Sequence, residues 1–504
     1  MQTKDYDVLV VGAGPAGLTT AISAARCGAR VLVVERRAST STLPRATHLS
    51  TRTMEIFRSW GLADAVRQRS IRVLPAVSRS RTLTDSDPTV DGLGLPPFTE
   101  VLRRSPTWPA WCPQDYVEPL LAGHLCDIGG QLSFGTELTG VAITGSEVRA
   151  ELSGRRTVRA RFFVGADGPR SSVRRALGIE VEELGEVGDW VMALVRADLA
   201  RVVGKRRYFL YSIEHPQAQG VVVPAGNGRW LYAQQWYAER GEHPGNWTPQ
   251  RIVERLRLAA GVPDLDVDVL RVQPFTMAGH IATTFRARCG FLVGDAAHRM
   301  TPVGGMGMNT AIHAGHNLGW KLAWVTRGWA GQALLDSYQT ERRPIGLRNV
   351  LRSLRREEVT DPLAADLDVV YCPELILTAP EQHDAANPGE RAPHAWVQLA
   401  GRRVSSLDLF DGQLTVLTGQ RGWDWQRAVV RLAATGLPIT AYTLGRDLRD
   451  PDGELADRYA LHHNGAVLVR PDGYLAWRGE AADALPAVVA ATLGRVDESL
   501  ELAG

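Results

Sequence analysis

Three short signatures of glycine and aspartate carry the residue types that hold a nucleotide cofactor. They are GAGPAG at residues 12–17, GADG at 165–168 and GDAAH at 294–298, and each follows an apolar run of three or four residues. In an open parallel sheet, ligands bind in the crevice beyond the carboxyl ends of the strands, where such loops lie. The three signatures together predict one dinucleotide-binding crevice.

The first signature has the spacing of a pyrophosphate-binding turn. Gly12 allows the tight turn, Gly14 lets the backbone approach the pyrophosphate, and Gly17 lets the following helix pack against its strand. The positive N-terminal end of that helix would face the phosphates. Glu35, 18 residues after Gly17 at the end of the second strand, is placed to accept both ribose hydroxyls and would repel a 2′-phosphate. The alternative is a glycine-rich turn without a ligand, and the register of strand, helix and acid disfavours it.

The third signature separates a flavin from a nicotinamide dinucleotide. Asp295 at a strand end can accept hydrogen bonds from a polyol such as the ribityl chain. Glycines between Pro302 and Asn309 would let a planar ring lie against backbone amides, and the positive helix end would favour negative charge at the N1–C2=O edge of reduced flavin. The alternative for Asp295 is a simple helix cap, and His298 is predicted to be a structural histidine behind the loop.

Length and composition define the class of protein. A chain of 504 residues is too long for one core and predicts two or three domains. Apolar residues make up 44%, charged residues 22%, and the net charge is +2, which is typical of a soluble protein and gives no basis for binding nucleic acid or an anionic membrane. The five cysteines have no CxxC or metal-ligand spacing, and we find no signal peptide or membrane span. We therefore expect a cytoplasmic protein without a metal site.

The hydrophobic patterns predict how the chain is divided. Short apolar strands and helices surround the three signatures, whereas Val-, Tyr- and Trp-rich alternating segments after residue 180 predict antiparallel strands. A proline-rich stretch then separates a last region with a small α/β pattern of its own. The predicted parts are a discontinuous nucleotide-binding domain at 1–180 and 276–370 with a possible excursion at 72–105, an inserted mixed β-sheet domain at 181–275, a linker at 371–399, and a C-terminal domain at 400–504.

With these residues, the chain resembles the group A flavoprotein monooxygenases, the FAD-dependent aromatic hydroxylases of the p-hydroxybenzoate and phenol hydroxylase type. The resemblance rests on the three signatures, on Arg170, Ser172 and Arg174 after the second one, and on the loop at 302–309, and it covers essentially the whole chain. Length and motif order are most similar to bacterial hydroxylases that tailor aromatic polyketides and related antibiotics. The ending RPDGYLAW at 470–477 resembles their thioredoxin-like C-terminal domain, but no cysteine is present there, which excludes thioredoxin-type redox chemistry.

The resemblance implies an α/β fold: a Rossmann-like FAD-binding domain, an inserted antiparallel-sheet substrate domain and a thioredoxin-like C-terminal domain. It also implies that Arg45 and Pro302 lie near the flavin, and that Gln114 contacts it from a helix start. Ordinary surface or capping roles are the alternative for Arg45 and Gln114. No side chain is assignable as an acid or base, since the chemistry belongs to the cofactor. The predicted cofactor-binding residues are Gly12, Gly14, Ala16, Gly17, Glu35, Arg36, Arg45, Gln114, Asp167, Gly168, Gly294, Asp295, Pro302, Gly305, Gly307, Met308 and Asn309.

The implied reaction consumes NAD(P)H and O2 and hydroxylates a phenolic or polycyclic aromatic, polyketide-like compound through a flavin C4a-hydroperoxide, with FAD bound non-covalently. Such an oxidant decays to H2O2 when wet, so the pocket must exclude water. The same flavin chemistry giving Baeyer–Villiger insertion, epoxidation or oxidative decarboxylation stays open. So does a different class of protein, a non-catalytic or NAD-only dinucleotide-binding module. We expect a monomer or homodimer that takes a small aromatic molecule and neither nucleic acid nor membrane as its partner.

The inserted strands supply the candidate substrate contacts. A mostly apolar pocket is expected against the flavin, and bulky residues of these strands could line it. Because successive strand residues alternate, half of them must point to the other face. The predicted contacts are Phe209, Tyr211, Gln234 and Trp236.

Overall fold

The structure is a computed structural model that describes residues 4–144, 147–355, 360–371 and 386–495. Residues 372–385 of the predicted linker and 496–504 of the predicted C-terminal domain lie outside the described residues. In the described ranges, no helix is both long enough and apolar enough to cross a membrane.

Twenty-five strands are described, and their bounds in chain order are β1 Lys4–Val11, β2 Val31–Glu35, β3 His48–Leu49, β4 Leu74–Ser80, β5 Thr89–Gly92, β6 Ala110–Trp111, β7 Gln131–Phe134, β8 Leu138–Thr144, β9 Glu147–Leu152, β10 Arg156–Gly165, β11 Val181–Arg196, β12 Tyr208–Ile213, β13 Gly220–Pro224, β14 Arg229–Gln235, β15 Asp268–Ala282, β16 Arg286–Ala287, β17 Gly290–Leu292, β18 His298–Arg299, β19 Trp396–Leu399, β20 Arg402–Ser405, β21 Leu414–Thr418, β22 Ile439–Thr443, β23 Leu448–Arg449, β24 Ala466–Val469 and β25 Leu475–Gly479.

Fourteen α-helices are described in the same ranges, and their bounds are α1 Pro15–Arg26, α2 Thr51–Ser59, α3 Ala63–Arg69, α4 Phe98–Arg104, α5 Gln114–Asp127, α6 Ser172–Ala176, α7 Leu199–Val203, α8 Pro249–Ala260, α9 Gly307–Thr326, α10 Asp336–Arg355, α11 Pro362–Leu367, α12 Trp423–Ala434, α13 Glu454–Tyr459 and α14 Leu485–Thr492.

The first sheet brings the three signatures to one edge. Its strand order is β16-β17-β10-β1-β2-β7, with β17, β10, β1, β2 and β7 parallel. Apolar side chains on both faces of β1 and β2 are buried, as expected for a parallel sheet covered on both sides. Val11 pairs with Gly165, and Gly165 pairs with Leu292. The signatures therefore follow three neighbouring strands at their carboxyl ends.

The second sheet has the strand order β18-β15-β11-β14-β13-β12-β4-β5. β4 and β5 come from the segment 72–105, which was predicted as a possible excursion, and β4 pairs in parallel with β12. The predicted domain boundary at residue 275 falls inside β15. This strand is continuous from Asp268 to Ala282 and pairs with β11. Helix α8 covers one face of this sheet with Ile252 and Leu256.

The C-terminal region has the predicted thioredoxin-like arrangement. Its main sheet has the order β22-β21-β24-β25, in which β21 and β22 are parallel and the other pairs are antiparallel. Helix α12 packs its buried face, including Trp425 and Leu432, onto that sheet. A smaller sheet of β20, β19 and β23 flanks it, and β19 begins at Trp396, inside the predicted linker.

A buried ionic network joins the C-terminal region to the nucleotide-binding part. Glu341 of α10 accepts hydrogen bonds from Lys321 of α9 and from Arg470, each at 2.6 Å, and Arg470 also pairs with Asp472 at 2.6 Å. Burial lowers the pKa of Lys321 to about 8. Burial alone would raise the pKa of Glu341, but Arg470 and Lys321 hold it well below its usual range. The hairpin turn at 470–473 is thus anchored between α9 and α10.

Helices α1 and α9 lie closer together than side chains normally allow. A Cβ on Gly315 would lie 2.7 Å from the carbonyl oxygen of Ala16, and one on Gly319 would lie 2.5 Å from that of Thr20. Ala16 faces Gly315 and Thr20 faces Gly319, so the helices run in the same direction. Both N-terminal ends therefore point to the edge of the first sheet that carries the signatures.

We predict that Gly319→Ala lowers the free energy of unfolding by about 1–3 kcal/mol, because the added methyl group must push α9 away from Thr20 and Ser23. Chemical denaturation monitored by circular dichroism measures this. Gly123→Ala in α5 is the matched control, since a Cβ there meets nothing within 4 Å and alanine favours a helix. Equal stability of the two variants would contradict the proposed close contact.

Buried histidines predict a loss of stability in acid. Burial lowers the pKa of His394 to about 4, and that of His298 and His316 to about 3, below the value of 6.5 expected in the unfolded chain. The unfolded state therefore binds more protons below pH 6.5, and stability falls with falling pH until the folded-state pKa is reached, by about 1.4 kcal/mol per pH unit for each such group. We expect His394→Gln to have a shallower slope of unfolding free energy between pH 6.5 and 4.5 than the wild type. His463→Gln, at an exposed position, should keep the wild-type slope.

Candidate cofactor and substrate site

The glycine turn after β1 leaves an open backbone surface. A Cβ on Gly12 would lie 2.3 Å from the carbonyl oxygen of Ala166, so this turn rests directly on the second signature. In contrast, a Cβ on Gly14 would meet nothing within 4 Å. Gly14 is also the N-cap of α1 and offers no side chain to the helix, so the first N–H groups remain available to an anion. This fits a pyrophosphate lying against Gly14.

Glu35 lies beside the same turn. Its two carboxylate oxygens accept hydrogen bonds from the backbone N–H groups of Ala13 and Arg37, each at 3.0 Å. These bonds orient the carboxylate at the end of β2 and leave each oxygen a second lone pair. The geometry suits a carboxylate that accepts the two hydroxyls of a ribose, and exposed Arg36 lies next to it in the chain.

Asp167 of the second signature is a helix cap in this structure. Its carboxylate accepts hydrogen bonds from the N–H groups of Ser172 at 2.7 Å and Val173 at 3.2 Å, and from the hydroxyl of Ser171. These contacts fix the start of α6, and they lie beside Gly12 because the N–H of Ala166 bonds to the carbonyl of Val11. A contact of Asp167 with FAD or NAD(P)H stays a prediction.

Asp295 lies at the floor of a cleft. Solvent reaches its side chain, yet protein surrounds the carboxylate closely enough that burial raises its pKa, against the opposing charges of Arg299 and Arg45. Among the described residues, no hydrogen-bond donor is directed at this carboxylate. The preceding Gly294 packs against Ala16 of α1, where a Cβ would lie 2.8 Å from that of Ala16. Asp295 thus has free acceptor oxygens next to the start of α1, which fits the polyol part of FAD.

The loop from Pro302 to Gly305 turns on two glycines in the left-handed region, with φ 80° at Gly304 and 65° at Gly305. Helix α9 then begins at Gly307 without a side-chain cap, so its first N–H groups are available to a ligand. Pro302 is exposed, Gly305 and Gly307 are half-buried, and Met308 is buried. These features suit a flat ring lying against backbone amides.

The side chain of Asn309 is engaged within the protein, whereas a cofactor contact through its backbone N–H stays a prediction. Its amide nitrogen donates to the carbonyl oxygens of His48 and Gly305, at 3.1 and 3.0 Å. Its amide oxygen accepts from the N–H of Ser50 and the hydroxyl of Thr53, at 2.9 and 2.8 Å. The side chain is buried and fully hydrogen-bonded within the protein, so it fastens the loop to the start of α2 and is not free for a cofactor.

Arg45 and Gln114 lie next to the same cleft. Burial lowers the pKa of Arg45, the charge of Arg37 lowers it further, and the charge of Asp295 opposes both. The backbone N–H of Gln114 donates to the carbonyl of Ala46 at 2.8 Å. The Gln114 amide itself donates to Glu118 at 2.6 Å, so its Nε2 is engaged within α5.

Two further residues of the site carry no motif in the sequence. Trp111 has its ring centroid 6.1 Å from that of His48 and 6.4 Å from that of Phe209. His48 adjoins Gly305, whose Cβ would lie 3.4 Å from its Nδ1, and burial lowers its pKa to about 4. Short strands β3 and β6 pair these two residues directly. Only a tertiary contact reveals them, since β3 and β6 are too short to show a periodic pattern.

Only some of the predicted substrate contacts on the second sheet lie on the side of the loop from Pro302 to Gly305. Tyr211 packs in the cluster under α8 and donates to the carbonyl of Arg206, whereas Gln234 bonds to Tyr232 in the same cluster. Trp236 packs against that cluster as well. The structure therefore does not bring Tyr211, Gln234 or Trp236 to the candidate site, because strand alternation directs them to the helix-covered face. Phe209 does reach the site wall through Trp111.

The opposite face of the sheet carries a set of residues that the sequence analysis missed. Cross-strand pairing aligns them in three rows across β11, β14 and β15. In the third row, Leu194 and Leu231 pack on Leu43, which lies two residues before Arg45. Trp190 Nε1 and Gln273 Oε1 are buried polar atoms on this face without a partner in the described ranges. The rows are Trp190, Gln235 and Phe275, then Met192, Ala233 and Gln273, then Leu194, Leu231 and Arg271.

No group of three His, Cys, Asp or Glu side chains among the described residues is arranged to hold a metal ion. The glycine turn, Glu35 and Asp295 fit an organic dinucleotide cofactor.

Known families, relatives and solved structures match this chain over most of its length. Residues 5–353 match the family described as FAD binding domain, and residues 385–496 match the aromatic-ring hydroxylase C-terminal domain. Tetracenomycin A2 monooxygenase-dioxygenase of Streptomyces glaucescens is 35% identical over 98% of both chains, and aklavinone 12-hydroxylase of Streptomyces purpurascens is 36% identical over 96% of this chain and 97% of its own. A crystal structure of aklavinone-11 hydroxylase with FAD and aklavinone has a TM-score of 0.88, 34% identity, and coverage of 98% of this chain and 100% of that one.

We predict that Asp295→Ala lowers FAD occupancy, because the variant loses a free charged acceptor worth about 1.5–3 kcal/mol, or roughly 10- to 150-fold in the dissociation constant. Flavin absorbance after denaturing the purified protein measures occupancy. Asp264→Ala, an exposed carboxylate in the second-sheet region, is the control and should keep its flavin. Unchanged occupancy in Asp295→Ala would remove this residue from the site.

Proposed function

The chain belongs to the FAD-dependent aromatic-ring hydroxylases, which are monooxygenases, and on that premise we propose that its substrate is a polycyclic phenol of polyketide type. The observation that carries the proposal is the likeness over the full chain to relatives named for multi-ring substrates. Hydroxylation consumes one O2 and one NAD(P)H for each oxygen atom transferred to the ring.

The residues that would hold FAD are those of the first-sheet edge. Gly14 and the uncapped start of α1 would bind the pyrophosphate, Glu35 the ribose, and Asp295 the ribityl chain, while the loop of Gly304 and Gly305 would face the flavin ring. When bound, FAD takes up hydride from NAD(P)H and activates O2, so no acid or base is needed from the protein for that step.

The chain's own contribution is to enclose and orient the substrate. The site-facing side of the second sheet is largely apolar, with Met192, Leu194 and Leu231 near Leu43. An apolar wall lowers the local water content, which protects a reactive oxygen species, and it suits a flat aromatic molecule. The few polar atoms, such as Gln273 Oε1 and Trp190 Nε1, are placed to orient hydroxyl or carbonyl groups of such a molecule.

The proposed function is tested by incubating the flavin-loaded enzyme with NAD(P)H and a panel of phenolic polyketides. We expect a product heavier by one oxygen atom, with NAD(P)H consumption matching product and little H2O2. A product of the same mass whose NMR spectrum shows an inserted ring oxygen or an epoxide, or a product that has lost CO2, would shift the reaction type while keeping the flavin chemistry. Consumption of NAD(P)H that yields only H2O2 with every phenol would reject the substrate class.

We predict that Gln273→Leu raises the KM for the aromatic substrate about 2- to 10-fold, as expected for one lost hydrogen bond, while FAD occupancy stays at the wild-type level. Steady-state kinetics with the best substrate of the panel measure this. Gln234→Leu is the matched control, because that amide lies on the α8 side and bonds to Tyr232. An equal change of KM in both variants would contradict the assignment of the faces.

A further inference from the structure

Besides the buried ionic network, the C-terminal region makes a second contact, with the short helix α4. Arg458 of α13 donates from Nη1 to the carbonyl oxygen of Arg103 at 2.7 Å, and Arg391 donates from Nη2 to that of Arg104 at 3.1 Å. These carbonyls belong to the last turn of α4, where no intrahelical donor is available and the helix end carries partial negative charge. Two guanidinium groups from another part of the chain thus cap the helix C-terminus.

Both arginines have further polar partners, which for Arg391 include Glu55 of α2. Arg391 is buried, pairs with Glu55 at 3.2 Å and precedes the β19 strand. Arg458 also donates to the carbonyl oxygen of His394 at 2.5 Å and pairs with Glu454 at 3.1 Å within α13. The two hydrogen bonds therefore connect the C-terminal region directly to the end of α4.

Helix α4 leads directly to the wall of the candidate site. Only six residues separate Arg104 from Trp111, and Arg67 holds this stretch by donating to the hydroxyl of Thr107 at 2.5 Å and to the carbonyl of Trp108 at 2.9 Å. Trp111 then lies between His48 and Phe209. Val101 of α4 is buried against Leu363 and Leu367 of α11, so an apolar contact also holds the helix.

We propose that the C-terminal domain is a positioning element for the substrate pocket: through Arg458 and Arg391 it holds α4, and through α4 it holds Trp111 against Phe209 so that the site stays closed to water on this side. Arg458 is here a positioning residue that touches neither cofactor nor substrate. The effect on catalysis rests on the proposed function, whereas the mechanical coupling does not.

The test uses the full-length, FAD-loaded protein with Arg458→Gln, which removes the charge but keeps a side chain of related size. Arg458 is the better site than Arg391 because its side chain is one-quarter exposed, whereas loss of Arg391 would leave Glu55 buried without this partner. The control is Arg58→Gln. Arg58 of α2 pairs with Asp408 at 2.9 Å, and this ion pair also joins the two parts of the chain.

Hydrogen–deuterium exchange detected by mass spectrometry gives the first readout. We expect Arg458→Gln to speed exchange in peptides covering residues 98–111 about tenfold, with no change at residues 12–17 and no loss of FAD. Arg458→Lys should restore part of the protection, and Arg58→Gln should leave residues 98–111 unchanged. Unchanged exchange in Arg458→Gln, or an equal rise in Arg58→Gln, overturns the proposal.

The second readout is the ratio of product to NAD(P)H consumed. We expect this ratio to fall in Arg458→Gln, with a matching rise in H2O2, and to fall no further when Trp111→Leu is added, because both changes open the same wall. Faster exchange with an unchanged ratio, or additive losses in the double variant, overturns the proposal. A wild-type enzyme that gives no product with the panel rejects the proposed function, and the exchange experiment still decides the mechanical coupling.

Discussion

The close parallel packing of α1 on α9 is the constraint on which the site depends. Gly315 and Gly319 let the backbone of α9 rest on that of α1, and both helices point their positive ends to the same edge of the first sheet. α1 begins one residue before Ala16 and α9 begins eight residues before Gly315, so α9 extends about 10 Å further along the cleft, at 1.5 Å per residue. In the proposed site, one helix end would serve a pyrophosphate and the other a ring farther along. A wider separation would take these two positive ends away from a single ligand.

The buried ions between α9, α10 and the 470–473 turn serve a different purpose. Removing charges from water is costly, so Lys321, Glu341 and Arg470 are stable in the interior only while each keeps its partners. Such a network favours one docking geometry strongly, since a displaced C-terminal region would leave charges buried and unpaired. Together with the arginine caps on α4, it gives a region without cysteine or cofactor motif a structural basis for acting on the site. The same region supplies no described group near the cleft itself.

Sequence reasoning located the first-sheet edge well, because its signatures are local: each strand, turn and helix start is encoded within a few residues. It was less successful for side chains whose use depends on a distant partner. The side chain of Asn309 is one such case, because Ser50 and Thr53 engage its amide oxygen. Tyr211, Gln234 and Trp236 were chosen for their type, whereas strand alternation and the position of α8 decide which face they occupy. The predicted boundary at residue 275 falls inside β15, since the pairing of β15 with β11 continues to Ala282.

What the amino-acid sequence by itself determined is the cofactor class, the family and the order of the domains, because glycine spacing and strand-end acids are properties of contiguous chain. Only the tertiary structure decided which side chains form the pocket. His48, Trp111, Trp190 and Gln273 come from separate strands and meet through sheet register and the pairing of β3 with β6. Their proximity depends on how independent elements pack, which no local pattern encodes. The physical reason is that a binding surface is made of contacts between elements, and the energies that choose those contacts are summed over the whole fold.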